Sequence, residues 1–234
     1  RRLALARAFV RAKAQNQRTF LRRNTTEDIE APLEEMRRLI ARLDVCSDTD
    51  ELMGVEGSIA AVYFANWSGL LADGPVRQAF APASRNRRPP KDPINAMLSF
   101  GYALLAKECT VALLSEGLDP HWGFLHRPRH GRPALALDLM EEFRPLVVDS
   151  AVLSAVNTGM VGATDFMTSH AGCAMKDVAR KALIRAYELR LDQMITHPVF
   201  DYRCSWRAVI RVQAKLLAKA LRGEVPEYTG ITTR

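Results

Sequence analysis

Gly123-Phe124-Leu125-His126 leads into a basic turn, Arg127-Pro128-Arg129-His130-Gly131-Arg132, and then into Ala134-Leu-Ala-Leu-Asp138-Leu-Met-Glu141-Glu142-Phe-Arg-Pro145. Leu135, Leu137, Leu139 and Met140 predict a helix pinned against a core, with a histidine at the mouth of the loop before it. On that helix Asp138, Glu141 and Glu142 stand at i, i+3 and i+4, which is one face. Carboxylates bunched beside buried surface raise one another's pKa unless a cation sits among them. An imidazole with hard oxygens suits a divalent metal such as Mn²⁺, Mg²⁺ or Zn²⁺. Acids in the first turns of a helix also complement its dipole. The stretch by itself leaves both readings open.

Working outward, the 234 residues are ample for a core and fit one large domain or two small ones. Lys and Arg number 33 against 26 Asp and Glu, a formal net charge of +7 that is spread unevenly. Arg1, Arg2, Arg7, Arg11, Lys13, Arg18, Arg22 and Arg23 crowd the start, and Arg85-Asn-Arg87-Arg88-Pro-Pro-Lys91 forms a second cluster. Arg203, Arg207, Arg211, Lys215 and Lys219 recur at intervals of four as a third. Such clusters favour nucleic acid or another polyanion, the competing reading being solvated helix faces. Cys46, Cys109, Cys173 and Cys204 lie far apart without Cys-x-x-Cys spacing. That argues against a zinc ribbon or iron–sulfur cluster and for reduced thiols in a cytosolic protein. No apolar run approaches the roughly 20 residues needed to cross a bilayer, and no signal peptide is visible. The chain opens without Met inside a helical pattern, so native sequence is expected upstream.

The elements read as helices throughout. Residues 1–23 form the first, and a second is expected from the cap candidates Asn24, Thr25 and Thr26 to about Leu43. Ser47-Asp-Thr-Asp50 begins a third, whose run Ile59–Phe64 is apolar nearly all round and predicts a buried central helix. Glu56 sits in it as a lone carboxylate, which calls for an Arg, a metal or an exposed edge. Pro82, Pro89 and Pro90 exclude regular helix over 82–92. Asp92-Pro93 starts a long helix that Gly117 closes. Leu146 to Leu153 reads as helical, Cys173–Ile195 as a long helix, and Tyr202–Leu221 as the last, capped by Gly223 before a polar tail. No segment shows a strand period, so the fold class is mainly α. Trp67, Tyr102 and Trp122 are read as core groups rather than base-stacking ones.

Several short motifs recur in a particular order: Lys13-x-x-Asn16-Gln17, Glu56-Gly57 followed by Tyr63-Phe64, Pro93-x-Asn95-Ala96, Gly123-Phe-x-His126, and Asp138-Leu-Met-Glu141-x-Phe-Arg-Pro145. Together they closely resemble the CRISPR-associated endonuclease/integrase of the spacer-acquisition (adaptation) complex, over almost the whole chain. The resemblance implies that residues 1–234 are that family's helical catalytic domain, metal- and DNA-binding. It also implies that the family's small N-terminal β domain lies upstream of this sequence. In some members the integrase is fused behind a CRISPR-associated exonuclease domain, a second candidate for the upstream region.

By the same resemblance Glu56, His126 and Glu141 are the catalytic metal ligands, with Mg²⁺ or Mn²⁺ as cofactor. Asp138 matches a nearby acidic position, as a residue behind the ligands or an alternate ligand. Ala134 departs from the Ser found in many members, and His130 is a rival to His126. The implied reaction inserts new spacer DNA into a CRISPR array by attack of a 3′-hydroxyl on the phosphodiester at the repeat border, with hydrolysis when water attacks instead. Arg85, Arg87, Arg88 and Lys91, then Arg127, Arg129 and Arg132, are the DNA-binding candidates on charge and sequence proximity. The implied partners are double-stranded spacer-precursor and leader-repeat DNA, a second copy in a homodimer, the small CRISPR adaptation partner and a CRISPR-associated exonuclease. The implied setting is the cytoplasm, with no membrane. The alternatives carried beside this reading are a non-catalytic DNA-binding scaffold subunit of the same assembly, and a helical protein-interaction domain whose carboxylates are surface charge.

Overall fold

The computed structural model describes residues 1–25, 27–82, 84–86 and 89–233. It is mainly α. Helix α1 (Arg2–Asn24) buries Phe9, Val10, Phe20 and Leu21 and packs against α2 (Glu30–Arg42), α3 (Thr49–Ala65) and the Glu141–Asp149 segment. The Asp48 carboxylate caps α3 by accepting from the Asp50 and Glu51 amides, each at 2.8 Å. A short α4 (Pro75–Phe80) precedes the long α5 (Pro93–Ser115), which Asp92 caps through the Asn95 amide at 2.8 Å. Helix α5 packs on α6 (Ala134–Met140) and α9 (Trp206–Arg222), while α7 (Ser150–Asn157) packs on α8 (Asp177–Asp192). Although Lys107 and Glu108 interrupt its apolar run, α5 is by length and composition long and apolar enough to cross a bilayer, with a mean hydropathy of 1.4 over an 18-residue stretch. Here Met97, Leu98, Leu105 and Leu113 spend that apolarity on the protein core.

Four expectations are corrected. The second helix begins at Glu30 rather than near residue 24, because Thr25 turns to the Gly69 carbonyl and Asn24 back to that of Phe20; Thr26 lies outside the described residues. Helix α3 is not buried all round: Leu52, Val55, Ile59 and Tyr63 face the core while Ala61 is exposed. Two antiparallel hairpins appear where only helix or loop was expected. They are β1 (Phe166–Ser169) with β2 (Gly172–Met175) and β3 (Met194–Thr196) with β4 (Arg203–Ser205), and they shorten α8 and α9 at their ends. Finally, α6 stops at Met140. A 3₁₀ turn at Glu141–Phe143 and a π-helix at Arg144–Asp149 follow before α7. Pro145 has no N–H to donate to the Glu141 carbonyl, so the α-register cannot run through this point.

That change of register separates the three carboxylates that α-periodicity would place on one face. The tail explains where Glu142 goes. Beyond Gly223, which closes α9 at φ +81°, the chain returns across α1 and buries Tyr228 and Ile231. The buried Glu142 carboxylate accepts from the Tyr228 hydroxyl and from the Ile231 amide at 2.6 Å. Asn16 clasps the same tail, donating to the Ile231 carbonyl at 2.9 Å and accepting from the Thr233 amide at 3.0 Å. Gly230 makes this close approach feasible: a Cβ there would lie 2.6 Å from both Ala12 Cβ and Glu142 Oε2. Gly230→Ala is therefore expected to cost about 1–3 kcal/mol, read as a fall in the thermal or urea midpoint. An unchanged midpoint would mean the tail is not held in this clasp.

Candidate metal and DNA site

The site is assembled from four places in the chain. Asp138 in α6 is fully buried, and its carboxylate closes the loop before the helix. Oδ2 accepts from the Phe124 and Leu125 amides, and Oδ1 from the His126 amide at 2.9 Å and the His126 ring Nδ1 at 2.7 Å. The Asp138 carboxylate accepts from Nδ1, which carries a proton, and leaves Nε2 as the ring nitrogen turned toward the site. Gly123 permits this tight loop, since a Cβ there would come within 2.5 Å of the His126 carbonyl oxygen and 2.8 Å of Ala134 Cβ. His126 Nε2 faces Glu141 Oε1 at 3.8 Å. The rival His130 sits exposed at the turn tip beside Gly131, whose φ is +69°.

Glu141, at the start of the 3₁₀ turn, is buried among cations. Arg144 Nη2 lies 2.9 Å from its Oε1 and Lys13 Nζ 2.7 Å from its Oε2. Burial opposes ionisation, but Arg144, Lys13 and His126 together outweigh it and hold the carboxyl down to about 2. The Lys13 ammonium also pairs with Glu56 Oε1, so one buried lysine bridges the two glutamates. Lys13 was read in the sequence as part of a basic run and of the motif Lys13-x-x-Asn16-Gln17, with no role at the site. Its helical neighbours gave the missing signal: Phe9 at i−4 and Phe20 at i+7 are both buried, which puts Lys13 on the core face of α1.

As the side chains stand, no group of three His, Cys, Asp or Glu among the described residues converges to hold a metal. The ammonium lies between two of the three donors. The donor set nonetheless fits a hard divalent cation: two carboxylates already bracket a positive charge, and an imidazole is oriented by a carboxylate behind it. Glu141 Oε2 in particular is buried and faces the Lys13 ammonium at 2.7 Å.

Behind Glu141 runs a supporting chain. The Arg144 guanidinium stacks on the Tyr102 ring, 4.6 Å from its centroid. The Tyr102 and Tyr63 hydroxyls both donate to the buried Asp149, at 2.6 and 2.8 Å. Burial raises the Asp149 carboxyl to about 6 against the pull of both hydroxyls. Beside Glu56, the open face of α3 (Gly57, Ala60, Ala61) and Arg85 line a groove of about 570 Å³. Arg85 lies over the Phe64 and Tyr102 rings, 5.7 Å from each, and donates to Asn95 Oδ1 at 2.6 Å.

The other sequence candidates divide by their surroundings. Lys91 and Arg129 are exposed, Arg132 is half-buried, and Arg127 is exposed but paired with Asp50 at 2.8 Å. Arg87 and Arg88 lie outside the described residues. Much of the remaining positive charge serves the fold: Arg11 pairs with Asp44, Arg7 and Arg18 donate to the Cys46 and Leu33 carbonyls, and Arg207 pairs with Glu108, Glu188 and Asp192. Trp67 and Tyr102 are core as expected, but Trp122 is 70 % exposed, four residues before His126.

Against this geometry, the family profile described as CRISPR associated protein Cas1 matches residues 1–189. A CRISPR-associated exonuclease Cas4/endonuclease Cas1 fusion of Geobacter sulfurreducens is 47% identical over 99% of the chain, which spans 43% of that protein. A CRISPR-associated endonuclease Cas1 of Thermus thermophilus is 42% identical over the whole chain, which spans 68% of it. A solved casposase bound to integration product superposes with a TM-score of 0.84 at 28% identity, over 97% of this chain and 63% of that one. The chain thus spans less than half of the fusion protein and about two thirds of the Thermus one.

Proposed function

Because the chain belongs to the CRISPR associated protein Cas1 family, we propose that it is the helical catalytic domain of a metal-dependent DNA endonuclease/integrase that inserts spacer DNA into a CRISPR array. The observation that carries this reading is the pair Glu56 and Glu141 bracketing one cationic position, with His126 Nε2 turned toward Glu141 and its Nδ1 tied to Asp138. Glu56, His126 and Glu141 would hold Mg²⁺ or Mn²⁺, which when bound stabilises charge on the scissile phosphate and activates the attacking oxygen. Among the similar proteins are an exonuclease fused to the endonuclease and a casposase bound to integration product. Both accord with this reading and not with a domain that merely binds protein.

In the reaction a 3′-hydroxyl oxygen forms a new bond to the border phosphorus as the bond to the leaving 3′-oxygen breaks. One phosphodiester replaces another, and water in place of the hydroxyl gives hydrolysis. The chain's own residues orient and neutralise. Asp138 fixes the His126 tautomer, Arg144 and Lys13 keep Glu141 ionised, and Arg85 lends positive charge to the groove beside Glu56. Lys91, Arg129 and Arg132 contact the DNA backbone, which makes binding steeply salt-dependent. The cytoplasmic assembly comprises a homodimer, the small adaptation partner and the two DNA substrates, with a CRISPR-associated exonuclease either fused or separate.

Trp122 joins the DNA surface as a stacking platform. Trp122→Ala is expected to weaken binding of a DNA with single-stranded 3′ ends by about 5- to 100-fold, seen as a shift in anisotropy titrations. Equal affinities would return Trp122 to the role of a bystander. The reading as a whole is tested with the full-length protein, its small partner, short duplexes with free 3′-hydroxyls and a leader-repeat plasmid in Mn²⁺ or Mg²⁺. Joined product in the wild type, lost on chelation and in Glu56→Ala, His126→Ala and Glu141→Ala, is the expected result. Salt-sensitive binding with neither joining nor cutting would mark a scaffold subunit instead.

A further inference from the structure

Lys13 has no part in the metal-ligand reading, yet its ammonium holds the position between the two glutamates that define it. We propose that Lys13 is a built-in counter-ion of the metal site: it keeps Glu56 and Glu141 together while no metal is bound, and it must release at least one of them when a divalent cation enters. This inference rests on the metal-site reading above and adds a residue that competes for the ligands.

The argument is electrostatic. Two carboxylates drawn together in a largely buried setting repel, and the Lys13 side chain, only 6% exposed, neutralises that repulsion from within the core face of α1. A divalent cation reaching Glu56 and Glu141 meets the lysine charge within a few ångströms, where like charges are poorly screened. The displaced ammonium has room to move. Glu56 is 23% exposed at its side chain and borders the groove lined by Gly57, Ala60, Ala61 and Arg85, so Lys13 can follow that carboxylate outward. Glu141 is better provided for, because Arg144 remains on its Oε1 and His126 Nε2 faces the same oxygen. The lysine therefore costs the site metal affinity and in exchange keeps the apo site assembled.

The test uses the full-length protein as wild type, Lys13→Met and Lys13→Arg, titrated calorimetrically with MnCl₂ without DNA. Lys13→Met is expected to bind Mn²⁺ tighter by about tenfold or more, while Lys13→Arg, which keeps the charge, stays near the wild type. In parallel, acylation of lysines in the wild type is followed by mass spectrometry with and without Mg²⁺. Lys13 should be protected in the metal-free protein and labelled about tenfold faster with metal, a readout that stands if Lys13→Met fails to fold. Metal binding that is equal or weaker in Lys13→Met, with Lys13 equally protected in both states, overturns the proposal and leaves the metal site standing. No Mn²⁺ binding by any variant removes both.

Discussion

Glu141→Ala is expected to abolish joining and cleavage by the full-length protein, a loss of about 10³-fold or more, and to lower its stability by about 3–5 kcal/mol as well. Glu56→Ala is expected to match it in activity and not in stability. The difference follows from what each carboxylate neutralises. Glu141 is buried and is the ion partner of Arg144, and it shares Lys13 with Glu56. Its removal strands the Arg144 guanidinium, itself only 12% exposed at the side chain and with Nε already lacking a partner. Glu56 is partly open to the groove, and without it Lys13 keeps Glu141. Urea unfolding of both variants, beside DNA binding and plasmid joining, separates the two effects. Equal stability losses would show that the cations around Glu141 are not held as the structure has them, and retained joining in either variant would remove that residue from the ligand set.

How far the sequence reaches into this site depends on which interactions leave a periodic trace. Two helix starts did: Asp48 and Asp92 are caps of the expected kind, and Gly223 ends α9 in the left-handed region. The two hairpins did not, because strands of three or four residues are too short to display an alternating pattern; β1 buries only Phe166. The switch at Glu141–Asp149 was hidden for another reason. A 3₁₀ turn followed by a π-helix is a change in backbone hydrogen-bond register, and side-chain spacing does not record it. Hence Asp138, Glu141 and Glu142, read as one acidic face, go to the His126 loop, the Lys13–Arg144 pair and the tail. Glu142 shows the cost of reading charge without place. Buried against Tyr228, Ile231 and Gln213, it is pushed up to about 8 by burial despite those hydrogen bonds, beside a neighbour held down to about 2. The motif singled out Glu141, but only the fold shows that Glu142 is a buried anchor of the tail.

The second large effect belongs to Asp149, which touches no ligand. Asp149→Ala leaves the Tyr63 and Tyr102 hydroxyls buried without their acceptor, at about 1–3 kcal/mol each, so a loss of roughly 2–6 kcal/mol is expected. It also loosens the ring on which Arg144 rests, so joining should fall even in the folded fraction. Asp149→Asn is milder and isolates the charge. Burial raises the Asp149 carboxyl from 3.8 to about 6, with Arg144 and Arg85 pulling the other way. Between those values the native state therefore binds a proton that the unfolded chain has released. Its contribution is fully present below about pH 4 and is lost as pH rises through about 6, a swing of roughly 3 kcal/mol. Because other carboxylates titrate in the same range, the observable is the stability of wild type minus that of Asp149→Asn, measured by urea unfolding at pH 4 to 7.5. That difference should fall steadily with rising pH and level off above about 7. A flat or rising difference would mean that Asp149 is ionised throughout. In that case Arg144 and Arg85 reach it more strongly than the burial around Tyr63 and Tyr102 opposes them, and the chain behind Glu141 is ionic to its end.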